Sequence, residues 1–394
     1  MKKLAILLTV MIARLAAGQE LEGRFYPDKG SYATGEPLIF WMEIKNVGKQ
    51  PAYLFAKPPG QCSDVFTFSA QEITPKASGF ACGTTWDTQC SDDLYLLKPV
   101  EAYTVNWPLD FWYRIEHAGK YKVSIARHTW FSAGGMGAKE LQFSSEFEFS
   151  VVPSDPAYVQ SVLQKFEADM RSKDPSVQHD ALDVLASTAP AYFQNEILRL
   201  AHDPDGFKVE HAVGGLRRLN TPQSSAALAD IITTRHLSND DEITLRCNAI
   251  QALGDSGDAS YITMLGPYAE HVDTCESEVA MQAIATLGKK TAVRQLQSFL
   301  QNPQAKLREN AASALRLTVS PDAVDALIPV LRDKDEAVRL RASTSLVELT
   351  AHSVQKPDQP PPSPLQMENL WRVWWQANRQ SIKLVEPGPE FCRM

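Results

Sequence analysis

The side chains able to do chemistry are scattered thinly along this chain. The eight histidines are His117, His128, His179, His202, His211, His236, His271 and His352, and no two of them stand four residues apart. A metal site carried on one helix needs that spacing, as in H-E-x-x-H. There is no G-x-S-x-G turn to present a serine nucleophile. Gly134-Gly135-Met136-Gly137 lacks the Lys-Ser/Thr and the following helix that a phosphate cradle requires. His117 and His128 could approach across two strands, where a structural histidine is the plainer account. Asp240-Asp241-Glu242 precedes a helical stretch, and negative charge there suits the positive end of the helix dipole. These residues assign no catalytic group, no cofactor and no metal ligand.

The six cysteines are Cys62, Cys82, Cys90, Cys247, Cys275 and Cys392, with no C-x-x-C among them. That argues against a zinc ribbon or a thioredoxin-like site. Cys82 and Cys90 bound one short loop carrying Trp86, and Cys62 lies on a nearby connection. One disulfide among these three is expected. Cys247 stands two residues before Ala249, and Cys275 stands eight before Ala283. If the helices stack with those alanines level, the two cysteines lie about two turns out of step. A bridge between them is possible, and would then be strained.

The compartment follows from the first residues. Met1-Lys2-Lys3, an apolar run from Leu4 to Ala13, and Ala16-Ala17-Gly18 before Gln19 have the layout of a secretory signal peptide over 1–18. The run is shorter than the roughly 20 residues a membrane span needs. Export to a secreted or periplasmic location is expected, and an oxidising compartment permits disulfides. The formal net charge of −8 becomes −11 once Lys2, Lys3 and Arg14 leave with that segment. An acidic chain without a basic block is a poor partner for nucleic acid. No membrane span is expected after cleavage.

Two kinds of periodicity divide the remainder. Over residues 19–153, short alternating runs such as Leu38–Ile44, Val65–Phe68, Tyr103–Trp107 and Tyr121–Ile125 are bounded by turn residues. Period two with aromatic and β-branched residues means one face in and one face out. Seven or eight such strands predict an antiparallel β-sandwich. Gly35-Glu36-Pro37-Leu38 with Ile44-Lys45-Asn46-Val47-Gly48 resembles the opening of bacterial extracellular Ig-like domains. Ala118-Gly119-Lys120-Tyr121-Lys122-Val123 is similar to their late strand, whose Tyr often makes a tyrosine corner.

The period changes at Pro153-Ser154-Asp155-Pro156, and residues 156–379 repeat themselves. Six segments set Ala four residues before Leu: Ala181/Leu185, Ala212/Leu216, Ala249/Leu253, Ala283/Leu287, Ala311/Leu315 and Ala342/Leu346. Positions i and i+4 share a helix face, and a small residue suits the closest approach of two helices. Second helices are predicted around Leu228-Ile231-Ile232, Ile262-Leu265, Leu296-Leu300 and Leu327-Leu331. Asp335–Ala342, Lys306–Ala311 and Asp174–Ala181 resemble the HEAT signature. They are similar to the short HEAT-like units of phycobilisome lyases and of many secreted bacterial proteins. The resemblance implies an all-α solenoid behind an all-β Ig-like sandwich, a multidomain chain.

A Pro-rich linker, 356–364, leads to a capping helix over 365–379 and a tail over 380–394. Trp371, Trp374 and Trp375 share one face of that helix, placed to cover the open end of the repeats. The function expected is a non-catalytic scaffold that binds a protein or peptide. The exposed second-helix positions Arg235, Arg294 and Arg332 form its candidate binding face. The alternative, which the lyase resemblance implies, is an enzyme or enzyme accessory.

Overall fold

The computed structural model describes residues 21–55, 65–74, 94–111, 115, 117–133, 139–188, 191–235, 240–272, 274–355 and 360–386. The segment 1–18, Cys62, Cys82, Cys90 and Cys392 therefore lie outside the described residues, as does the glycine run 134–137. Two compact units divide the chain, one ending at Tyr192 and the other starting at Phe193.

The first unit begins with β1 (Leu21–Pro27), β2 (Ser31–Ala33), β3 (Ile39–Asn46), β4 (Ala52–Phe55) and β5 (Val65–Thr74). It continues with β6 (Leu94–Leu97), β7 (Ala102–Pro108), β8 (Gly119–Ala133) and β9 (Lys139–Val152). Three strands form one sheet in the order β1-β3-β7, and the others form a second in the order β2-β9-β8-β4-β6, with β5 also paired to β8. On β9 burial alternates almost residue by residue, which puts Leu141, Phe143, Phe147, Phe149 and Val151 inside. Phe40, Met42 and Ile44 of β3 face them in one hydrophobic core. The sheets meet closely where Phe143 stacks on Phe25 at 5.1 Å. Gly23 leaves the room: a Cβ there would come within 2.4 Å of the Phe143 ring.

One pairing departs from the antiparallel expectation. β2 runs parallel to β9, with Tyr32 level with Val151. A three-residue strand between Pro27 and Gly35 carries too little pattern to reveal its partner, which lies more than a hundred residues later.

Two helices, α1 (Pro156–Asp169) and α2 (Pro175–Ser187), belong to this same unit. Asp155 and Asp174 cap them by accepting from the N–H groups of Ala157 and Ser176. Specific bonds hold α2 to the sheets. Asn106 Nδ2 donates to Asp180 at 3.3 Å, and the Thr188 hydroxyl donates to Asp110 at 3.1 Å. The first Ala/Leu pair, Ala181 and Leu185, is buried here.

The second unit contains α3 (Gln194–Leu200), α4 (Gly206–Leu219), α5 (Pro222–Thr234), α6 (Asp240–Gly254) and α7 (Ile262–Leu265). There follow α8 (Glu276–Gly288), α9 (Val293–Phe299), α10 (Ala305–Leu315), α11 (Pro321–Leu327), α12 (Glu336–Thr350) and α13 (Pro364–Asn378). The helices α4, α6, α8, α10 and α12 carry the other five Ala/Leu pairs and pack in order, each on the next. Ala212 and Leu216 of α4 are buried, as are Ala249 and Leu253 of α6 and Ala283 and Leu287 of α8. So are Ala311 and Leu315 of α10 and Ala342 and Leu346 of α12.

The second helices differ from expectation. Only α5 is a full helix of thirteen residues; α7 has four, and 3-10 turns at Ala259–Tyr261 and Pro267–Glu270 flank it. A further 3-10 turn, Lys289–Ala292, opens α9, and another, Ile328–Arg332, closes α11. Pro267 and Pro329 remove N–H donors in these stretches, and the tighter turns accommodate the loss. The apolar stripes read from sequence still point inward, as Leu228, Ile231, Ile232, Leu265, Leu296, Leu300 and Leu331 show.

Candidate functional site

Polar side chains of the second unit recur at the position three before a stacking alanine, filled by Arg246, Arg308 and Arg339, whereas Val209 and Ala280 hold it before Ala212 and Ala283. Arg308, three before Ala311, is 4% exposed. Its Nη1 donates to the carbonyls of Asn302 and Pro303 in the loop that precedes its own helix. Its Nε and Nη2 grip Asp333 of the following repeat at 2.7 and 2.8 Å. That two-pronged bond holds the Asp333 carboxyl below its ordinary range and raises the guanidinium above its own. Arg339, three before Ala342, donates to the carbonyls of Asp333 and Lys334. In the first unit Gln178, three before Ala181, does the same to Met170 and Ser172.

The richest example lies between α6 and α8. Arg246, three before Ala249, donates to the Arg235 carbonyl and to Glu276 Oε1, each at 2.9 Å. Glu276 is 1% exposed, and its other oxygen meets His271 Nδ1 at 2.6 Å and the Thr274 hydroxyl at 3.1 Å. The Arg246 guanidinium lies over the Tyr268 ring, 5.5 Å from its centre. A buried carboxylate surrounded by three donors is satisfied, and it orients the exposed imidazole of His271.

A disulfide closes the same corner. Cys247 of α6 is bonded to Cys275, the residue at the N-cap of α8, with the Cα atoms 6.1 Å apart. That separation is ordinary. The expected two-turn offset does not arise because the alanines do not stack level. A Cβ on Gly254 would lie 2.8 Å from the Cβ of Ala283. Position 254 therefore meets 283, which brings 247 level with 275. This corrects the level stacking of Ala249/Leu253 against Ala283/Leu287: Leu253 falls short of Leu287 by more than a turn.

The alanine–leucine stripes themselves offer nothing to a ligand. Leu216, Leu253 and Leu346 are fully enclosed and Leu287 nearly so, so these side chains pack helix on helix and line no site.

The predicted binding face is used unevenly. Arg235, half-buried, donates to the Asp203 carbonyl at 3.3 Å. Arg332 is exposed and lies 3.6 Å from the buried Glu368 of α13, to which Arg372 is also paired. Arg294, in the first turn of α9, is exposed. The tryptophan helix covers the end of the array. Trp371 and Trp375 are buried, and Trp375 Nε1 donates to Asp325 at 2.7 Å. Trp374, half-buried, stacks face to face on His352 at 4.1 Å.

The first unit holds a cavity of about 460 Å³ bordered by Thr34, Ser154, Val159, Gln160, Leu163 and Tyr192. Beside it Glu36, 5% exposed, accepts from Lys29, from the Ala33 N–H and from the Tyr158 hydroxyl. Reading the histidines for spacing to one another passes over another pairing: His179 reaches Asp183, one turn on, at 3.5 Å. The Arg246–Glu276–His271 cluster has no local signature in the sequence, because its imidazole and its acid lie 25 and 30 residues beyond the arginine.

Among the described residues no helix is long and apolar enough to cross a membrane. The profile of the HEAT repeats family matches residues 293–357. No curated protein matches the chain. Of solved structures, YibA of Escherichia coli is 15% identical with a TM-score of 0.32, covering 50% of this chain and 76% of its own. The CpcE–CpcF complex of phycocyanin lyase from Nostoc sp. PCC7120 is 18% identical with a TM-score of 0.30, covering 54% and 82%. Human deoxyhypusine hydroxylase in complex with glycerol is 15% identical with a TM-score of 0.28, covering 56% and 99%. Likenesses this loose bear on neither fold nor activity. The matched residues, 293–357, run from α9 to the end of α12, and the likeness to HEAT repeats is shown for that stretch.

Proposed function

We propose that this chain is an exported, non-catalytic scaffold that binds a protein or peptide along its HEAT repeats. The carrying observation is the match to HEAT repeats over residues 293–357, where the helices stack in order, as in solenoids that present an extended binding surface. The polar groups best placed for chemistry support it as well. Arg246, Glu276, Arg308, Asp333 and Arg339 bond to one another and to loop carbonyls, so they hold the stack together.

The first unit is read as an Ig-like sandwich. Tyr121 supports this: it is 2% exposed, and its hydroxyl donates to the His117 carbonyl at 2.7 Å, the bond of a tyrosine corner. Export to the periplasm or beyond is read from residues 1–18, and the Cys247–Cys275 bond suits an oxidising compartment. N-terminal sequencing of the exported chain is expected to start at Gln19; a chain retaining Met1 would refute export by this route.

The binding role is tested with Arg294→Glu in the full chain. A partner captured from the native envelope or culture fluid is expected to bind this variant about tenfold more weakly, about 1.4 kcal/mol. Its affinity for Lys306→Ala, on the exposed face of the first helix α10, should stay unchanged. Turnover of a small substrate, abolished by one substitution that preserves the fold, would replace the scaffold reading with an enzyme.

A further inference from the structure

The disulfide that ties α6 to α8 is two-sided. Cys247 is 4% exposed, whereas Cys275 is open to solvent. Cys275 also occupies a position that other helices fill with a capping side chain. At α1, α2, α4, α5, α12 and α13 the N-cap Asp, Thr or Ser accepts from a backbone N–H, and at α8 the N-cap side chain makes no such bond. The first turn of α8 is held by other means. Thr274 Oγ1 accepts from the Glu276 N–H at 3.3 Å, the Glu276 carboxylate is tied to Arg246 and His271, and the covalent bond itself ends there.

We propose that Cys247–Cys275 is an exchangeable disulfide, opened by a dithiol reductant at the exposed Cys275 sulfur, that controls how firmly the start of α8 is held on α6. The exposed sulfur is the one a reductant can reach. One thiolate of the dithiol attacks Cys275 Sγ, a mixed disulfide forms, and Cys247 leaves as a thiolate that takes a proton from solvent. The second thiol of the reductant loses its proton and attacks the reductant's own sulfur in the mixed disulfide. Cys275 then leaves as a thiolate at the N-terminus of a thirteen-residue helix, where backbone N–H groups stabilise negative charge. The protein gains two thiols, and the reductant becomes a cyclic disulfide. With the bond open, the described side-chain bonds that tie the loop from His271 to Cys275 to α6 run chiefly through Glu276 and Arg246.

The test uses the full chain in buffers of graded reduced and oxidised dithiothreitol, without denaturant, with thiols trapped by alkylation and located by peptide mass. The bond is expected to open in the folded protein, with Cys275 modified about tenfold faster than Cys247. Amide exchange should rise about tenfold over residues 271–281 and stay unchanged over 305–350. A bond that survives until the whole helical unit unfolds would overturn the proposal, as would exchange that rises everywhere at once. Cys275→Ser should reproduce the reduced pattern in a folded chain. If that variant does not fold, the bond is a structural requirement and the proposal fails.

Discussion

Arg308 and Asp333 form the most complete of the clamps, with both side chains largely enclosed. Removing one partner of such a pair leaves a desolvated charge, so Arg308→Ala is expected to cost about 2–4 kcal/mol in a urea melt. Arg308→Lys keeps the charge and loses the fork, and should recover only part of that. The pair also sets a pH dependence. Because the Asp333 carboxyl is held low in the folded state, its contribution is complete above the ordinary aspartate value of about 4 and is lost as pH falls through the lower folded value. The stability gap between the native chain and Asp333→Asn should therefore be constant from pH 7 to 5 and shrink below pH 4. An equal gap at pH 3 and pH 7 would show that Asp333 does not titrate in this way. Val319 holds a left-handed backbone, φ 47°, that suits glycine better than a β-branched residue. Val319→Gly is expected to cost nothing or to stabilise by up to about 1 kcal/mol. None of this was legible beforehand. The arginines belong to a visible motif, but the carbonyls they hold have no side-chain signature, and Asp333 matters only once the repeats are stacked.

Helix contacts were better written in the sequence, though not their register. The Ala/Leu spacing marks which face of each first helix turns inward, because that is a local property of 3.6 residues per turn. Leu216 and Leu346 sit at opposite ends of the array and are enclosed alike for this reason. How far one helix slides along the next depends on the smallest residue at the crossing, which between α6 and α8 is Gly254 against Ala283. Gly254→Ala tests this. In an open helix that change would gain up to about 1 kcal/mol from propensity. Here the added Cβ would lie 2.9 Å from the Ala283 Cα, backbone that cannot swing aside, so a net loss of about 1–3 kcal/mol is expected. A gain in melting temperature would show that α6 and α8 do not meet there. The broken second helices were less legible: their apolar stripes look helical, and only Pro267 and Pro329 hinted that the turns would tighten. On α13, Trp375→Phe keeps most of the packing and loses the bond to Asp325, which should cost about 1–2 kcal/mol.

At the scale of the chain, the change of period at Pro153 marks where strands end and helices begin, and the compact units divide elsewhere, between Tyr192 and Phe193. No local pattern announces that α2 will fasten to β7 and its neighbours through Asn106 and Asp110. A fragment ending at residue 192 is accordingly expected to melt at a higher temperature than one ending at 153, because the shorter piece leaves the face under α2 bare. The disulfide has a mechanical corollary as well. A chain pulled from its two ends lengthens only along backbone that can run straight, and the 28-residue separation between Cys247 and Cys275 is short-circuited through the sulfur atoms. At about 3.4 Å per residue, roughly 90 Å of contour stays hidden while that bond is intact. Single-molecule traces should gain that length in dithiothreitol, which makes the corner between α6 and α8 a limit on how far the array can be stretched.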